Sequence, residues 1–114
     1  MEMTSSERGG DLVVRVDEGR IDAAIAVKFK DEMRALIRGP HPRTVLDMSS
    51  VDFLDSSGLG AVVAVLKEAG SDKGLVLAGL TTNVEKVFRL TRMDTVFTIF
   101  PDVEHAFGAT ADAS

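Results

Sequence analysis

Cysteine, tryptophan and tyrosine are absent from this chain, and six phenylalanines are its whole aromatic complement. Without cysteine there is neither a disulfide framework nor a thiolate metal site, a composition that suits a reducing compartment such as the cytoplasm. Phe29, Phe88 and Phe97 stand at positions that suit core packing, so the stacking platform that single-stranded nucleic acid needs is missing. Positive charge is short as well: 13 Lys and Arg against 18 Asp and Glu leave a formal charge of −5. A net-negative surface does not displace counterions from a phosphate backbone, so no direct nucleic-acid partner is expected. Long apolar runs are also lacking. Residues 1–10 carry no apolar core and read as neither signal peptide nor anchor, and the longest later uncharged run, residues 56–66, is too short to span a bilayer. A membrane is therefore not an expected partner. No G-x-x-x-x-G-K-[ST] or G-x-G-x-x-G run is present, so the sequence offers no nucleotide-binding loop and implies no cofactor.

What remains is ordinary globular composition, 45% hydrophobic and 27% charged over 114 residues, the size of one domain. Residues 11–17 read as a strand, and residues 18–22 as a turn into a short extended piece expected to pair with it. Asp22 is placed to cap a helix in which Ile25, Phe29, Met33, Leu36 and Ile37 form the apolar face while Lys28, Asp31, Arg34 and Arg38 meet water. Gly39 and Pro40 end that helix. Residues 44–48 are a buried strand, and Leu59, Val62, Val63 and Leu66 recur at helical spacing as far as Gly70. After a turn at 71–74, residues 75–79 form another apolar strand. Thr82 and Glu85 then fit a capping box for a helix lined by Val84, Val87, Phe88 and Thr91. Residues 95–100 alternate as a last strand, and Pro101 suits the first turn of a short helix through Val103, Ala106 and Phe107.

Strands alternating with helices place the chain in the α/β class. The expected architecture is a single domain over residues 11–108, with a mixed, mostly parallel sheet of about four or five strands, opened by an antiparallel pair at the N-terminus, and about four helices. Residues 1–10 and 109–114, small and polar, are expected to be flexible tails.

The chain is organised around residues 51–62, where an extended run ends and a helix begins within four small or polar residues. Asp55, Ser56 and Ser57 lie at that helix start, where side-chain oxygens can cap unpaired backbone N–H groups. Gly58 and Gly60 allow a close approach to the backbone. A helix cap alone would account for the aspartate and both serines.

The run Asp55-Ser56-Ser57-Gly58-Leu59-Gly60, preceded by an apolar strand and by Val51, Phe53 and Leu54, resembles the signature of the STAS domain, and specifically of bacterial anti-sigma factor antagonists. Gly19-Arg20-Ile21-Asp22 is similar to the family's Gly-x-Leu-Asp stretch, with isoleucine in place of leucine. The order of strands and helices is also that of the STAS fold, from about residue 11 to 107. The resemblance implies a cytoplasmic switch protein that is a substrate and binding partner rather than an enzyme. It implies phosphorylation at Ser56 and a partner surface formed by Asp22, Asp55, Ser56, Ser57, Gly58 and Leu59. The implied partners are a serine kinase that doubles as the anti-sigma factor, bound by the unphosphorylated form so that sigma is released, and a serine phosphatase that resets the switch. The alternative is a STAS module regulating another assembly, such as secretion, chemotaxis or phospholipid transport.

Catalytic readings are poorly supplied. Ser56 lacks the G-x-S-x-G elbow, and the only imidazoles, His41 and His105, are remote from it in sequence. Asp47, Asp52 and Asp55 suggest a metal or aspartyl-phosphate pocket, with Asp17 and Glu18 close to the acidic cluster such a pocket wants. No lysine follows a late strand to complete it, so no metal is expected.

Overall fold

A computed structural model describes residues 1–70 and 74–108. Seven strands and four helices follow one another as β1 (Met3–Arg8), β2 (Asp11–Val16), β3 (Arg20–Ile21), α1 (Ala23–Ile37), β4 (Arg43–Asp47), β5 (Phe53–Leu54), α2 (Ser56–Ala69), β6 (Gly74–Ala78), α3 (Thr82–Leu90), β7 (Thr98–Phe100) and α4 (Val103–Ala106). Five strands form one sheet in the order β1-β2-β4-β6-β7, antiparallel between β1 and β2 and parallel elsewhere. This is the mixed, mostly parallel sheet with four helices that the sequence predicts. Of the expected turn over residues 71–74, Gly74 is the first residue of β6, and residues 71–73, like the expected tail at 109–114, lie outside the described residues.

Side chains alternate across the sheet. Leu12, Val14, Val16, Leu46, Leu75 and Leu77 point into the main core with Phe29, Met33 and Ile37 of α1, Val62 and Val65 of α2, and Val84 and Phe88 of α3. Val45, Val76 and Ala78 point to the opposite face, where Ala106 of α4 covers them and Val103 and Phe107 pack alongside. Each parallel pair is bridged by a helix, since a parallel connection needs a crossover rather than a hairpin.

The structure corrects five local expectations. Residues 3–8 are not a tail but an edge strand: Gly9 and Gly10 both take positive φ, 59° and 86°, which is what a two-residue hairpin of type I′ requires, and Met3 to Arg8 then pair with Val16 to Asp11. Such a strand is held by its backbone ladder, so it needs little apolar surface of its own. The short piece at Arg20–Ile21 pairs in parallel with Phe53–Leu54 instead of with β2, forming a separate two-stranded sheet. The cap of α3 is Thr81, not Thr82. This moves Glu85 out of the capping-box position, and its carboxylate instead pairs with Arg89 at 3.1 Å. Residues 93–95 form a 3-10 turn, so the last strand begins only at Thr98; Phe97 is buried edge-on against Phe88, with ring centroids 5.6 Å apart. Asp102 rather than Pro101 starts α4, its Oδ1 accepting from the His105 N–H at 2.8 Å.

Candidate functional site

The β3–β5 pair is the platform on which two helices start. Arg20 stands opposite Phe53 and Ile21 opposite Leu54. The Gly19 carbonyl accepts from the N–H groups of Asp52 at 2.7 Å and Phe53 at 3.2 Å, and the Ile21 carbonyl accepts from Asp55 N–H at 3.4 Å. Each strand then turns into a helix through an aspartate in extended conformation, Asp22 before α1 and Asp55 before α2. The capping oxygens satisfy helix N–H groups that have no carbonyl partner. Asp22 Oδ1 accepts from Ala24 N–H at 3.1 Å, and Asp55 Oδ1 from Gly58 N–H at 2.8 Å.

Asp55 also reaches across the junction. Its second oxygen accepts from Ala23 N–H at 3.2 Å, so one carboxylate ties the first turn of α1 to the first turn of α2. Gly58 closes the same seam sterically. It is buried, and a β-carbon there would run into the Ile21 carbonyl oxygen and stand 3.0 Å from Leu54 Cδ1. Gly60 has open space at the equivalent point. Above the platform, Thr81 Oγ1 donates to the Val51 carbonyl at 2.8 Å and fastens the start of α3 to the segment leading into β5.

Of the six residues expected to form a partner surface, the junction gathers all, but it divides their roles. Ser56 and Ser57 are exposed on the first turn of α2, and Asp22 and Asp55 are half-buried caps beside them. Leu59 is partly buried against the main core, and Gly58 is a packing residue whose surface faces Ile21 rather than solvent. The apolar stripe of α2 is likewise turned from the expected one: Val62 is buried, whereas Leu59, Val63 and Leu66 are only partly so, and Gly58, Ala61, Val65 and Ala69 complete the inner face.

Two neighbours were not among the residues expected to form the partner surface. Phe53 is 46% exposed, and the Arg20 guanidinium lies over its ring at 4.9 Å while its Nε pairs with Asp22 Oδ2 at 3.0 Å. Only the β3–β5 register brings this arginine and ring together. Val27, one turn into α1, is 63% exposed, and its position off the Phe29–Met33 stripe is a signal the helical spacing already carried.

The histidines stand elsewhere. His41 precedes β4 and its Nε2 lies 3.4 Å from Glu7, at the opposite end of that strand from the junction; His105 is in α4, its Nδ1 2.7 Å from Asp102. Neither can act as base for Ser56. The carboxylates do not converge either. Asp47 Oδ1 accepts from Ser49 N–H at 3.0 Å, and both oxygens of Asp55 are taken by backbone N–H groups. Among the described residues no helix is long and apolar enough to cross a membrane.

The junction thus presents an exposed serine hydroxyl on a helix start held by Asp55 and Gly58, with both histidines remote from it. Known proteins share this fold. BtrV of Bordetella bronchiseptica, named as a candidate anti-sigma factor antagonist, is 29% identical over 96% of this chain and 94% of its own. The crystal structure of an anti-sigma factor antagonist from Mycobacterium paratuberculosis superposes with a TM-score of 0.85 at 27% identity, covering 95% of this chain and 92% of that one. SpoIIAA of Bacillus, at 18% identity, shares the fold in both its unphosphorylated and phosphorylated forms, with TM-scores of 0.76 and 0.69 and at least 96% of each chain covered. The STAS domain model matches residues 2–106, almost the whole described structure, and the chain therefore belongs to the STAS domain family.

Proposed function

We propose that this chain is a cytoplasmic anti-sigma factor antagonist worked by phosphorylation of Ser56. The observation that carries the reading is the exposed Ser56 at the first position of α2, in a junction from which both histidines are remote. Relatives named as antagonists of anti-sigma factors, and a fold neighbour solved in a phosphorylated form, support it. The unphosphorylated protein binds an anti-sigma factor that is itself a serine kinase, and sigma is set free. The kinase transfers the γ-phosphoryl group of ATP: the Ser56 oxygen bonds to phosphorus, ADP leaves with the bridging oxygen, and the hydroxyl proton passes to a base of the kinase. A serine phosphatase hydrolyses the ester and returns inorganic phosphate. This protein is the substrate throughout.

Phosphate adds about −1.5 to −2 charge at neutral pH. Opposite an acidic group of the partner at ~5 Å, with an effective dielectric near ~20, each unit costs roughly 3 kcal/mol before screening. Half of that weakens binding by about tenfold. The fold itself tolerates the charge, because Ser56 is exposed and its side chain takes no part in the core.

Incubation with ATP and the cognate kinase labels the wild type and Ser57→Ala but leaves Ser56→Ala unmodified by intact mass. Ser56→Asp keeps the wild-type melting temperature and binds the kinase several-fold more weakly in a calorimetric titration, whereas Ser56→Ala binds as the wild type does. Phosphate on Ser56→Ala, or equal affinities for all three proteins, would overturn the assignment.

A further inference from the structure

Ser56 stands in an acidic neighbourhood. Asp22 and Asp55 flank it as caps, and Asp52 is exposed at the end of the loop before β5. A phosphate there would meet carboxylates on both sides. Arg20 is the guanidinium tied into this junction: its Nε pairs with Asp22, the next residue, Ala23, gives its N–H to Asp55, and Ser56 follows Asp55 directly. The Arg20 side chain is 63% exposed, so it can swing without displacing core atoms.

We infer that Arg20 is the internal counter-ion of phosphorylated Ser56, leaving Asp22 and the Phe53 ring to take the phosphate in a fork. The inference rests on the reading of Ser56 as the phosphorylated residue. It follows from competition among anions: a guanidinium that holds a singly charged carboxylate in water exchanges it for a phosphate carrying about twice the charge and three acceptor oxygens. The exchange changes more than charge. Phe53, half-exposed beneath the guanidinium, is uncovered, and Asp22 loses its cation while keeping its bond to Ala24. The phosphorylated junction thus shows a partner a bare ring and a free carboxylate where the unphosphorylated one shows a stacked ion pair.

The test uses the full chain with phosphoserine installed at position 56 during translation, so that it does not depend on any kinase. If no kinase labels Ser56, the switch reading fails while this measurement still reports on the geometry. In nitrogen-15 spectra the Arg20 Nε–H resonance moves between the unmodified and phosphorylated chains, and in phosphorus-31 titrations Arg20→Gln raises the second phosphate midpoint by about 0.3 to 0.7 units, the size of an exposed ion pair. Lys28→Gln, the control for the exposed lysine one turn into α1, leaves the midpoint in place. A thermal melt confirms that Arg20→Gln is folded. An unmoved Arg20 resonance, equal midpoints for wild type and Arg20→Gln, or a larger shift from Lys28→Gln would overturn the proposal.

Discussion

On one face of the sheet, α1, α2 and α3 enclose an apolar cluster that runs from Leu12 to Phe97 and includes the fully buried Phe29, Met33 and Phe88; on the other, the four residues of α4 cover Val45, Val76 and Ala78. The thick face is held by burial and by backbone. The thin face is fastened by charged side chains, an exposed Arg8–Glu104 pair and a part-buried Arg43–Asp11 pair. Arg8 forks onto Glu104 at 2.7 and 2.8 Å and lies over the Phe107 ring at 4.5 Å, while Arg43 takes the other contact with that ring at 5.0 Å. Arg43 also donates to the Ala106 carbonyl at 2.9 Å and pairs with Asp11 at 3.0 Å. The serine junction grows from the helices of the thick face, so the residue proposed to take phosphate is anchored in the part held by burial and backbone.

The largest expected effect tests the steric closure of that anchor. Alanine is favoured over glycine inside a helix by about 1 kcal/mol, and at Gly60, with open space around it, Gly60→Ala gains about 0.5 to 1 kcal/mol. At Gly58 the added carbon meets the backbone carbonyl of Ile21, which cannot turn aside as a side chain would. The clash outweighs the propensity, and Gly58→Ala loses about 2 to 3 kcal/mol. Urea melts of the two variants should move in opposite directions. A Gly58→Ala midpoint at or above the wild type would mean that the two helix starts are not in contact as described.

A smaller effect is expected on the thin face. Phe107→Ala removes a half-buried ring and loses about 1 to 1.5 kcal/mol, or roughly 4 to 12 °C in melting temperature for a domain of this size. It leaves labelling of Ser56 by the kinase unchanged. Lost labelling in a variant still folded at the assay temperature would show that the faces are coupled, against the separation drawn here.

The smallest effect is a pH slope. The hydrogen bond from Arg8 holds the Glu104 carboxyl below the usual glutamate range, and hydrogen bonds from His105 do the same for Asp102. A depressed carboxylate contributes stability that is complete above its ordinary value and is lost as pH falls through the depressed one. The melting temperature of the wild type should therefore drop more steeply below about pH 4 than that of Glu104→Gln, which no longer titrates there. Parallel curves would show that the Arg8 fork contributes nothing to holding α4.

Much of this was legible from local pattern. The apolar runs of β2, β4 and β6, the Phe29–Met33 stripe of α1, and both aspartate caps depend on contacts a few residues apart in the chain, and the structure has each of them. Edge strand β1 was not recognised because its sequence is polar, although Gly9-Gly10 between two extended runs is a hairpin signal. The capping box at Thr82 was a local pattern one residue out of place, overridden when Thr81 turned its hydroxyl to Val51, 30 residues earlier.

The sequence by itself determined the class of fold, the place where α2 begins and the presence of an aspartate and two serines there, because periodicity and capping act over one or two turns of chain. Tertiary structure decided which residues share that place. Strands β3 and β5 are two residues long, and neither carries a pattern that names its partner; they pair because the crossover through α1 and β4 returns the chain to the same end of the sheet. From that return come the Asp55 bond to Ala23, the pressure on Gly58 and the stack of Arg20 on Phe53. Contacts between residues more than 30 positions apart leave no period in either segment, and only the folded chain brings them within reach.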